Sequence, residues 1–447
     1  MARTYRIETF GCQMNVHDSE RLGGLLERAG YEAASGPDDA DLVVINTCSV
    51  RERAEEKLYS RLDRYRGAAA QDRPVIAVIG CVAQQEGERL LERAPMIDAV
   101  VGTQALAELP ALVARSAEVR RAQVDVTAYD DVSFPLGVAV RGDPVKAFVT
   151  VVEGCNDFCA FCVVPYTRGH ERMRPAGEIL AEVRQAVDAG HQEIHLLGQI
   201  VNHYQAPDIA GCDFAGLLQR VAEVPGVRRV RFASPHPRHV TAAMIAAVRD
   251  LPQVCKHLHL PVQSGSTRIL RAMRRRHTRD DYLRLVDEVR RNIPGITLST
   301  DMIVGFPGET EADFADTLSL TRTVGFHGMF SFKYSERPNT LAARRIADDV
   351  AESDKGRRLL ELQTLQKEVQ ANLLRAMRGR TVEVLVDSRS RRRHDEYSGR
   401  TTGNTVVNFP GEQDWIGRFV RVTIERTGPN SVWGSVTTTE GQVAHAD

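Results

Sequence analysis

Cys155, Cys159 and Cys162 stand in the segment Gly154-Cys155-Asn156-Asp157-Phe158-Cys159-Ala160-Phe161-Cys162, a C-x3-C-x2-C spacing that presents three thiols from one short stretch of chain. A cubane 4Fe-4S cluster is normally held by four cysteine thiolates, so three leave one iron open to a ligand from outside the chain. An open iron is a place for chemistry, because whatever completes its coordination is exposed to the cluster's electrons. Two other readings use the same residues. A structural zinc needs a fourth ligand, for which His170 is available, and free cysteines are among the most buried residue types. Phe158 and Phe161, set between the thiols, suit a shielded, polarizable cluster at least as well as a zinc ion.

A second set precedes the first. Cys12, Cys48 and Cys81 each lie in a polar or glycine-containing turn, Gly11-Cys12-Gln13, Thr47-Cys48-Ser49 and Gly80-Cys81-Val82, directly after the apolar runs 5–10, 42–46 and 75–79. Helical patterns follow at 18–29, 51–66 and 84–93, and a further run at 99–101 precedes another at 105–114. Such alternation predicts an open parallel α/β sheet. Ligands of open parallel sheets bind outside the carboxyl ends of the strands, so three cysteines repeating that position are expected to converge on a second three-thiolate cluster. Taken singly, each would pass for a buried thiol. Cys212 and Cys255 have no comparable setting and read as ordinary thiols.

The elements that must position these residues fill a chain of 447 residues, 43% of them hydrophobic, enough for about three domains at roughly 150 residues each. The N-terminal stretch lacks the apolar core of a signal peptide, and no run of about 18 apolar residues spans a bilayer. A cytoplasmic protein with no membrane contact is expected. Eight cysteines in such a chain argue for metal or redox chemistry over disulfides. The formal charge of -1 gives no global sign of nucleic-acid binding, so that evidence must be local.

Strand-like runs at 146–153, 193–201, 229–233, 257–262, 297–304 and 328–334, nearly all followed by helix-compatible stretches, predict a central partial (βα)6 barrel. Polar residues gather where these strands end, at Gln199 and Asn202, Ser234 and His236, Gln263 and Ser264, Asp301, and Tyr334 and Ser335; barrel chemistry sits at those ends. Gln263-Ser264-Gly265-Ser266 and Gly305-Phe306-Pro307-Gly308-Glu309-Thr310 join strand to helix. They offer N–H groups to a carboxylate or ribose, or serve only as turns and caps. Leu362, Leu365, Val369, Leu373 and Met377 mark one apolar face of a linker helix. Alternating runs at 381–386, 405–408, 418–424 and 431–436 then predict a C-terminal small β-barrel. Two basic runs, Arg389-Ser390-Arg391-Arg392-Arg393 and the six arginines between Arg268 and Arg279, read as RNA phosphate contacts or as solvated faces. Arg168, Arg172 and Arg174 are better placed to hold a substrate phosphate near the first cysteine set.

Four segments together resemble the methylthiotransferase family of radical S-adenosylmethionine (SAM) enzymes: Phe10-Gly11-Cys12-Gln13-Met14-Asn15, Asn46-Thr47-Cys48-Ser49-Val50-Arg51, Gly80-Cys81-Val82-Ala83-Gln84, and residues 153–169. The likeness covers nearly the whole chain. It implies an N-terminal methylthiotransferase domain at 3–118 carrying an auxiliary cluster, a radical SAM core at 141–371, and a TRAM-like RNA-binding domain at 374–440. Cys162-Val163-Val164-Pro165-Tyr166-Thr167-Arg168-Gly169 is most similar to the branch acting on N6-isopentenyladenosine at position 37 of tRNA. Other branches act on ribosomal protein S12 or on threonylcarbamoyl-adenosine in tRNA. Ile200 and Asn339 depart from the family pattern, which more often has Asn and Gly there.

By this resemblance the cofactors are two 4Fe-4S clusters and SAM. The cluster on Cys12, Cys48 and Cys81 would carry a sulfur that one SAM methylates. That on Cys155, Cys159 and Cys162 would cleave a second SAM reductively, and the resulting 5'-deoxyadenosyl radical would take hydrogen from carbon 2 of the base, with no catalytic side chain required. Gln199, Ser234, Gln263, Ser264 and Asp301 are the expected SAM contacts; Arg168, Arg172 and Arg174 those to RNA. Expected partners are the tRNA anticodon loop, an electron donor such as flavodoxin or ferredoxin, and sulfur and iron-sulfur assembly donors. Tyr166 is a candidate platform for a splayed base or a core residue. A non-catalytic iron-sulfur RNA-binding protein is the reading from another class, disfavoured by the intact C-x3-C-x2-C.

Overall fold

A computed structural model describes residues 3–36, 39–49, 52–69, 72–119, 121–127, 139–390, 393, 395–411 and 414–439. The chain divides into two compact units: residues 1–142, 152–157 and 162–172 form the first, and 143–151, 158–161 and 173–447 the second.

The first unit is built on six parallel strands, β1 (Arg3–Phe10), β2 (Tyr31–Ala33), β3 (Leu42–Thr47), β4 (Val75–Gly80), β5 (Ala99–Val101) and β6 (Gln123–Asp125), in the order β2-β1-β3-β4-β5-β6. Every residue of β3 is buried, which explains the unbroken apolar run: a sheet covered on both faces has no polar side to show. Leu42 and Val44 join one core with Leu22 and Leu26 of the helix Gln13–Arg28, while Val43 and Ile45 join the other with Leu58 and Leu62 of the helix Glu52–Leu62. Each fully buried aliphatic side chain contributes about 1.5–3 kcal/mol, so the central strands are the most firmly held part of this unit. The edge strands β2 and β6, of three residues each, are part-exposed and carry polar residues, so they show no apolar run, unlike the equally short, buried β5.

The second unit carries six parallel strands, β7 (Lys146–Thr150), β8 (Glu193–Leu197), β9 (Arg229–Phe232), β10 (His257–His259), β11 (Thr297–Val304) and β12 (Gly328–Lys333). They form two three-stranded sheets, β9-β8-β7 and β10-β11-β12, and an isolated parallel bridge pairs Val230 of β9 with Val254, three residues before β10. Helices return the chain between strands, and their starts are set by side-chain caps. Asp213, Thr241, Ser266, Thr278 and Thr310 each accept from a backbone N–H of the first turn, which satisfies a donor that has no partner within the helix. The helix Glu352–Arg375 lies against β12 and the helix Glu311–Val324, burying Leu362, while Leu374 near its end joins the core of the barrel that follows. Among the described residues no helix is long and apolar enough to cross a membrane.

The same unit ends in a closed five-stranded barrel, β13 (Thr381–Arg389), β14 (Glu396–Arg400), β15 (Val406–Pro410), β16 (Phe419–Thr427) and β17 (Ser431–Thr439), in the order β13-β14-β15-β17-β16. Val384, Val386, Tyr397, Phe409, Val422 and Ile424 fill its interior. Closure leaves no strand edge unpaired. Side chains of β9 and of Gln192 fasten it: Arg229 Nη1 donates to Arg400 O at 2.5 Å, Arg231 Nη2 to Thr401 O at 2.7 Å and Gln192 Nε2, just before β8, to Gly417 O at 2.9 Å.

Candidate metal centres

In the first unit β1, β3 and β4 end level, Phe10 standing opposite Thr47 and Thr47 opposite Gly80. Cys48 follows Thr47 at once, its N–H donating to Phe10 O at 2.9 Å. Cys12 is the N-cap of the helix Gln13–Arg28, and Cys81 is the first residue of the helix Cys81–Glu86. The structure thus brings Cys12, Cys48 and Cys81 together, with the Cys48 thiol in hydrogen-bonding reach of the other two. Two glycines allow the approach. A Cβ on Gly11 would stand 2.5 Å from Asn15 Oδ1 and 2.7 Å from Cys48 Cβ; on Gly80, whose φ is +92°, it would meet Asn46 Oδ1 and stand 2.8 Å from Thr47 O. Only glycine takes both that space and that backbone without strain.

A buried amide network sits beneath the thiols. Asn15 Oδ1 accepts from Cys12 Sγ at 3.3 Å, Asn15 Nδ2 donates to Asn46 Oδ1 at 2.9 Å, and Asn46 Nδ2 donates to Asn15 O at 2.8 Å and Ser19 Oγ at 2.9 Å. Arg168 Nη2 donates to Asp18 Oδ2 at 2.6 Å, and both side chains are buried. The thiols respond to one another and to this charge. Hydrogen bonding from Cys48 lowers Cys12 and Cys81 below the ordinary thiol value, with Arg168 adding to it against the cost of burial. Cys48, which has one S–H to share between them, is raised. Two thiols inclined to ionise and a third beside them, at strand ends where a Cβ has no room, fit a cubane with three protein ligands.

The other three cysteines stand in different settings. In the first unit Cys155 N donates to Gly169 O at 3.2 Å and its Sγ accepts from Asp157 N at 3.5 Å. Cys162 opens the segment 162–172 of the same unit, which Thr103 Oγ1 anchors by donating to Thr167 O at 2.5 Å, and Gln104 Nε2 by donating to Arg168 O at 3.3 Å. His170 Nδ1 pairs with Asn156 Oδ1 at 3.0 Å. In the second unit Cys159 Sγ accepts from Arg275 Nη1 at 3.6 Å, and the next residue, Ala160, is bonded through its N–H to Met273 O at 2.9 Å. Phe161 packs against Ile269, Met273, Phe306 and Tyr334, while Phe158 is exposed.

At the carboxyl ends of the barrel strands, Ser234 (φ +59°) and Gln263 (φ +78°) hold left-handed backbone unusual for their residue types, a kind of strain concentrated at ligand sites. Gln199 Oε1 is buried with no hydrogen-bond partner among the described residues. Asp301 Oδ1 lies 3.3 Å from His259 Nε2. Asn202 and His236 join the loops after β8 and β9 by reciprocal bonds of 3.0 and 2.8 Å. The two strand-to-helix loops follow the turn-and-cap reading. Ser264 Oγ accepts from Ser266 N at 3.2 Å, and Gly265 N donates to Thr317 Oγ1 at 3.0 Å. Gly305 N donates to Glu309 Oε1 at 2.8 Å and Gly308 N to Asp349 Oδ1 at 2.6 Å. Those N–H groups are already satisfied by the protein.

Each arginine expected to meet phosphate has a partner within the protein. Arg168 is committed to Asp18. Arg174, 2% exposed, is enclosed by Glu182 and Thr150 O, and Arg172 pairs with Glu153 at 3.0 Å. In the run from Arg268 to Arg279 only Arg275 is buried, while Arg268, Arg271, Arg274 and Arg276 are exposed. Arg268 pairs with Asp313, Arg275 reaches Cys159 and Pro261 O, and Arg279 Nη1 donates to Asp316 O at 2.6 Å. In the other run, Arg389 stacks on Tyr397 at 4.8 Å and Arg393 pairs with Glu396 at 2.9 Å, while Arg391 and Arg392 lie outside the described residues. Sequence reasoning missed Asn15, Asn46, Asp18 and Arg275. Asn15 and Asn46 lie within the quoted motifs, which is the one signal that pointed to them.

Family models match along the chain: the model described as Uncharacterized protein family UPF0004 at residues 4–102, the Radical SAM superfamily at 149–321 and the TRAM domain at 375–437. Curated relatives carry the name tRNA-2-methylthio-N(6)-dimethylallyladenosine synthase. One from Halorhodospira halophila is 47% identical over 98% of this chain and 94% of its own. One from Methylococcus capsulatus is 46% identical over 97% and 95%, and one from Geobacter sulfurreducens 44% identical over 97% and 98%. Among solved structures, the radical SAM methyltransferase TsrM from Kitasatospora setae superposes with a TM-score of 0.54 at 14% identity, over 77% of each chain. The cobalamin-dependent radical SAM enzyme OxsB gives 0.51 at 13%, over 82% of this chain and 56% of its own. At such identities the likeness is one of fold.

Proposed function

Because the chain belongs to the family of tRNA-2-methylthio-N(6)-dimethylallyladenosine synthases, we propose that it converts N6-isopentenyladenosine at position 37 of tRNA to the 2-methylthio derivative by radical SAM chemistry. The observation that carries this is the meeting of Cys12, Cys48 and Cys81 at level strand ends, in a chain that also holds the C-x3-C-x2-C set. A single three-cysteine set serves many radical reactions; a second, independently built set fits sulfur insertion.

Cys12, Cys48 and Cys81 hold the auxiliary 4Fe-4S cluster, and Cys155, Cys159 and Cys162 the one that binds SAM. When bound, these groups supply a sulfur atom, a methyl group and one-electron cleavage of a carbon–sulfur bond. The chain's own residues bind and orient. Gln199 brings an unsatisfied acceptor and, with Ser234, Gln263, Ser264 and Asp301, takes SAM at the barrel's strand ends. Arg168 holds positive charge beside the auxiliary thiolates, a positioning role in place of the phosphate contact expected of it. Phe161 helps exclude water on the Cys159 side. Tyr166, 41% exposed, offers a face on which a splayed base stacks. The closed C-terminal barrel, matched as a TRAM domain, takes up tRNA around the anticodon loop. We retain the division at 3–118, 141–371 and 374–440, a cytoplasmic setting, a flavodoxin- or ferredoxin-type donor, and sulfur and iron-sulfur assembly donors as partners.

The test is iron, sulfide and Mössbauer analysis of the anaerobically reconstituted chain and of its Cys12/Cys48/Cys81→Ala variant, beside mass spectrometry of tRNA nucleosides. About eight irons falling to about four, as two cubanes require, with 2-methylthio product from the wild type alone, is the expected result. Four irons in both would withdraw the auxiliary cluster.

A further inference from the structure

We propose that Arg275 sets the reduction potential of the cluster on Cys155, Cys159 and Cys162 by holding an uncompensated positive charge against the Cys159 sulfur. The inference rests on the reading of those cysteines as cluster ligands and goes beyond it in assigning a side chain outside the motif to the cluster's electronic control.

Three observations within the second unit carry it. Arg275 Nη1 lies 3.6 Å from Cys159 Sγ, while Nη2 donates to Pro261 O at 2.6 Å, so the guanidinium is fixed at both ends of its fork. The side chain is buried and its Nε has no acceptor; among the described residues no carboxylate is paired with it. The backbone is shaped around this one side chain. Arg274 (φ +58°) and Arg276 (φ +56°) both adopt the left-handed conformation, and both are exposed, while Arg275 between them turns inward. Left-handed backbone is strained for non-glycine residues, so the turn is held by what it contacts. Those contacts include the cysteine loop, through Met273 O and Ala160 N, and the bonds Arg275 N to Leu270 O at 2.9 Å and His277 Nδ1 to Arg275 O at 3.0 Å.

The sign follows from charge. Reduction adds one electron, taken from an external low-potential donor (dithionite in the test), with no proton moved and no bond made to Arg275. A buried guanidinium that donates to a ligand sulfur stabilises the more negative, reduced state. The potential is therefore higher with Arg275 than without it.

The experiment is an EPR-monitored redox titration of the full-length chain carrying Cys12, Cys48 and Cys81→Ala, so that only this cluster contributes, with Arg275 or with R275M, R275Q or R275K. At the midpoint potential of the Arg275 protein, R275M is expected to show at least a tenfold lower ratio of reduced to oxidised cluster, which is 59 mV for a one-electron couple, at unchanged iron and sulfide. R275K restores most of it. An R275M protein with full iron and an unshifted midpoint overturns the proposal. Where R275M fails to assemble, R275Q decides by the same criterion, and if neither neutral variant retains iron the residue serves assembly and the potential-setting role is overturned. Absence of a four-iron signal in the chain with native Arg275 would instead remove the cluster assignment, and with it the function proposed above.

Discussion

Cys12, Cys48 and Cys81 come from three strand ends, 36 and 33 residues apart, whereas Cys155, Cys159 and Cys162 come from eight consecutive residues. The first set inherits its geometry from a sheet with cores on both faces, tightened by glycines and a pair of buried asparagines. The second takes its geometry from a loop, supported by single bonds from elsewhere in the chain. Each set has one buried arginine, and the two differ in compensation. Arg168 is matched by Asp18 at 2.6 Å, which offsets part of the positive charge it holds beside the auxiliary thiols. Arg275 has no acid among the described residues. The contrast assigns structural holding to the first arginine and electronic bias to the second, and each can be attacked separately.

The largest expected effect separates the sets outright. Cys155→Ala should abolish SAM cleavage, read as loss of 5'-deoxyadenosine, while Cys48→Ala should spare cleavage and stop methylthiolation of tRNA. Methylthio product from the Cys48→Ala enzyme would take the auxiliary cluster out of the mechanism. Next, Arg168→Met strands Asp18 as a buried unpaired charge, a change of about 3–5 kcal/mol. Thermal unfolding should fall sharply and recover with Arg168→Met/Asp18→Asn; an unmoved Tm would mean that the ion pair holds nothing. Gly80→Ala, strained at φ +92° and crowded against Asn46 and Thr47, should cost about 1–3 kcal/mol and lower auxiliary iron while leaving SAM cleavage. Full iron in that variant would show that the strand ends have slack.

The smallest effect concerns pH and belongs to the second unit alone. Burial, with Arg290 adding to it, pushes His327 down to about 4, and its Nδ1 accepts from Leu298 N at 3.4 Å, as a neutral ring must. An unfolded histidine titrates near 6.5. The folded state therefore binds the proton less readily: stability is fully present above pH 6.5 and is lost as pH falls from there towards 4, by about 1 kcal/mol per pH unit. His327→Phe should flatten that slope in Tm against pH, and an unchanged slope would place the titration elsewhere.

Much of the architecture could be read from residues because parallel strands buried on both faces leave continuous apolar runs, and because a cysteine after such a run has one place to be. The edge strands Tyr31–Ala33 and Gln123–Asp125 escaped because, part-exposed and carrying Glu32, Gln123 and Asp125, they show no apolar run, whereas the equally short, buried Ala99–Val101 does. The protein partners of the arginines escaped for a different reason. Nothing local tells that Arg168 meets Asp18, 150 positions away, or that alternate residues of a basic run turn inward when Arg274 and Arg276 take left-handed backbone. Charge is visible in a sequence; its partner across the fold is not.

The junction of the C-terminal barrel with its neighbour has an evolutionary side. Arg229 and Arg231 donate to the main-chain oxygens of Arg400, Thr401 and Thr402, and Gln192 to that of Gly417. A carbonyl oxygen is the same whatever side chain its residue bears, so the accepting turn can drift through many substitutions with this seam intact. The donors have no such latitude, since lysine lacks the planar fork that reaches successive carbonyls. In lineages descended from this chain, variation is expected to accumulate in the accepting turn at 400–403 rather than at Glu383, Asp387 and Phe419, whose side chains meet Arg229, Lys146 and Arg228 across the same seam.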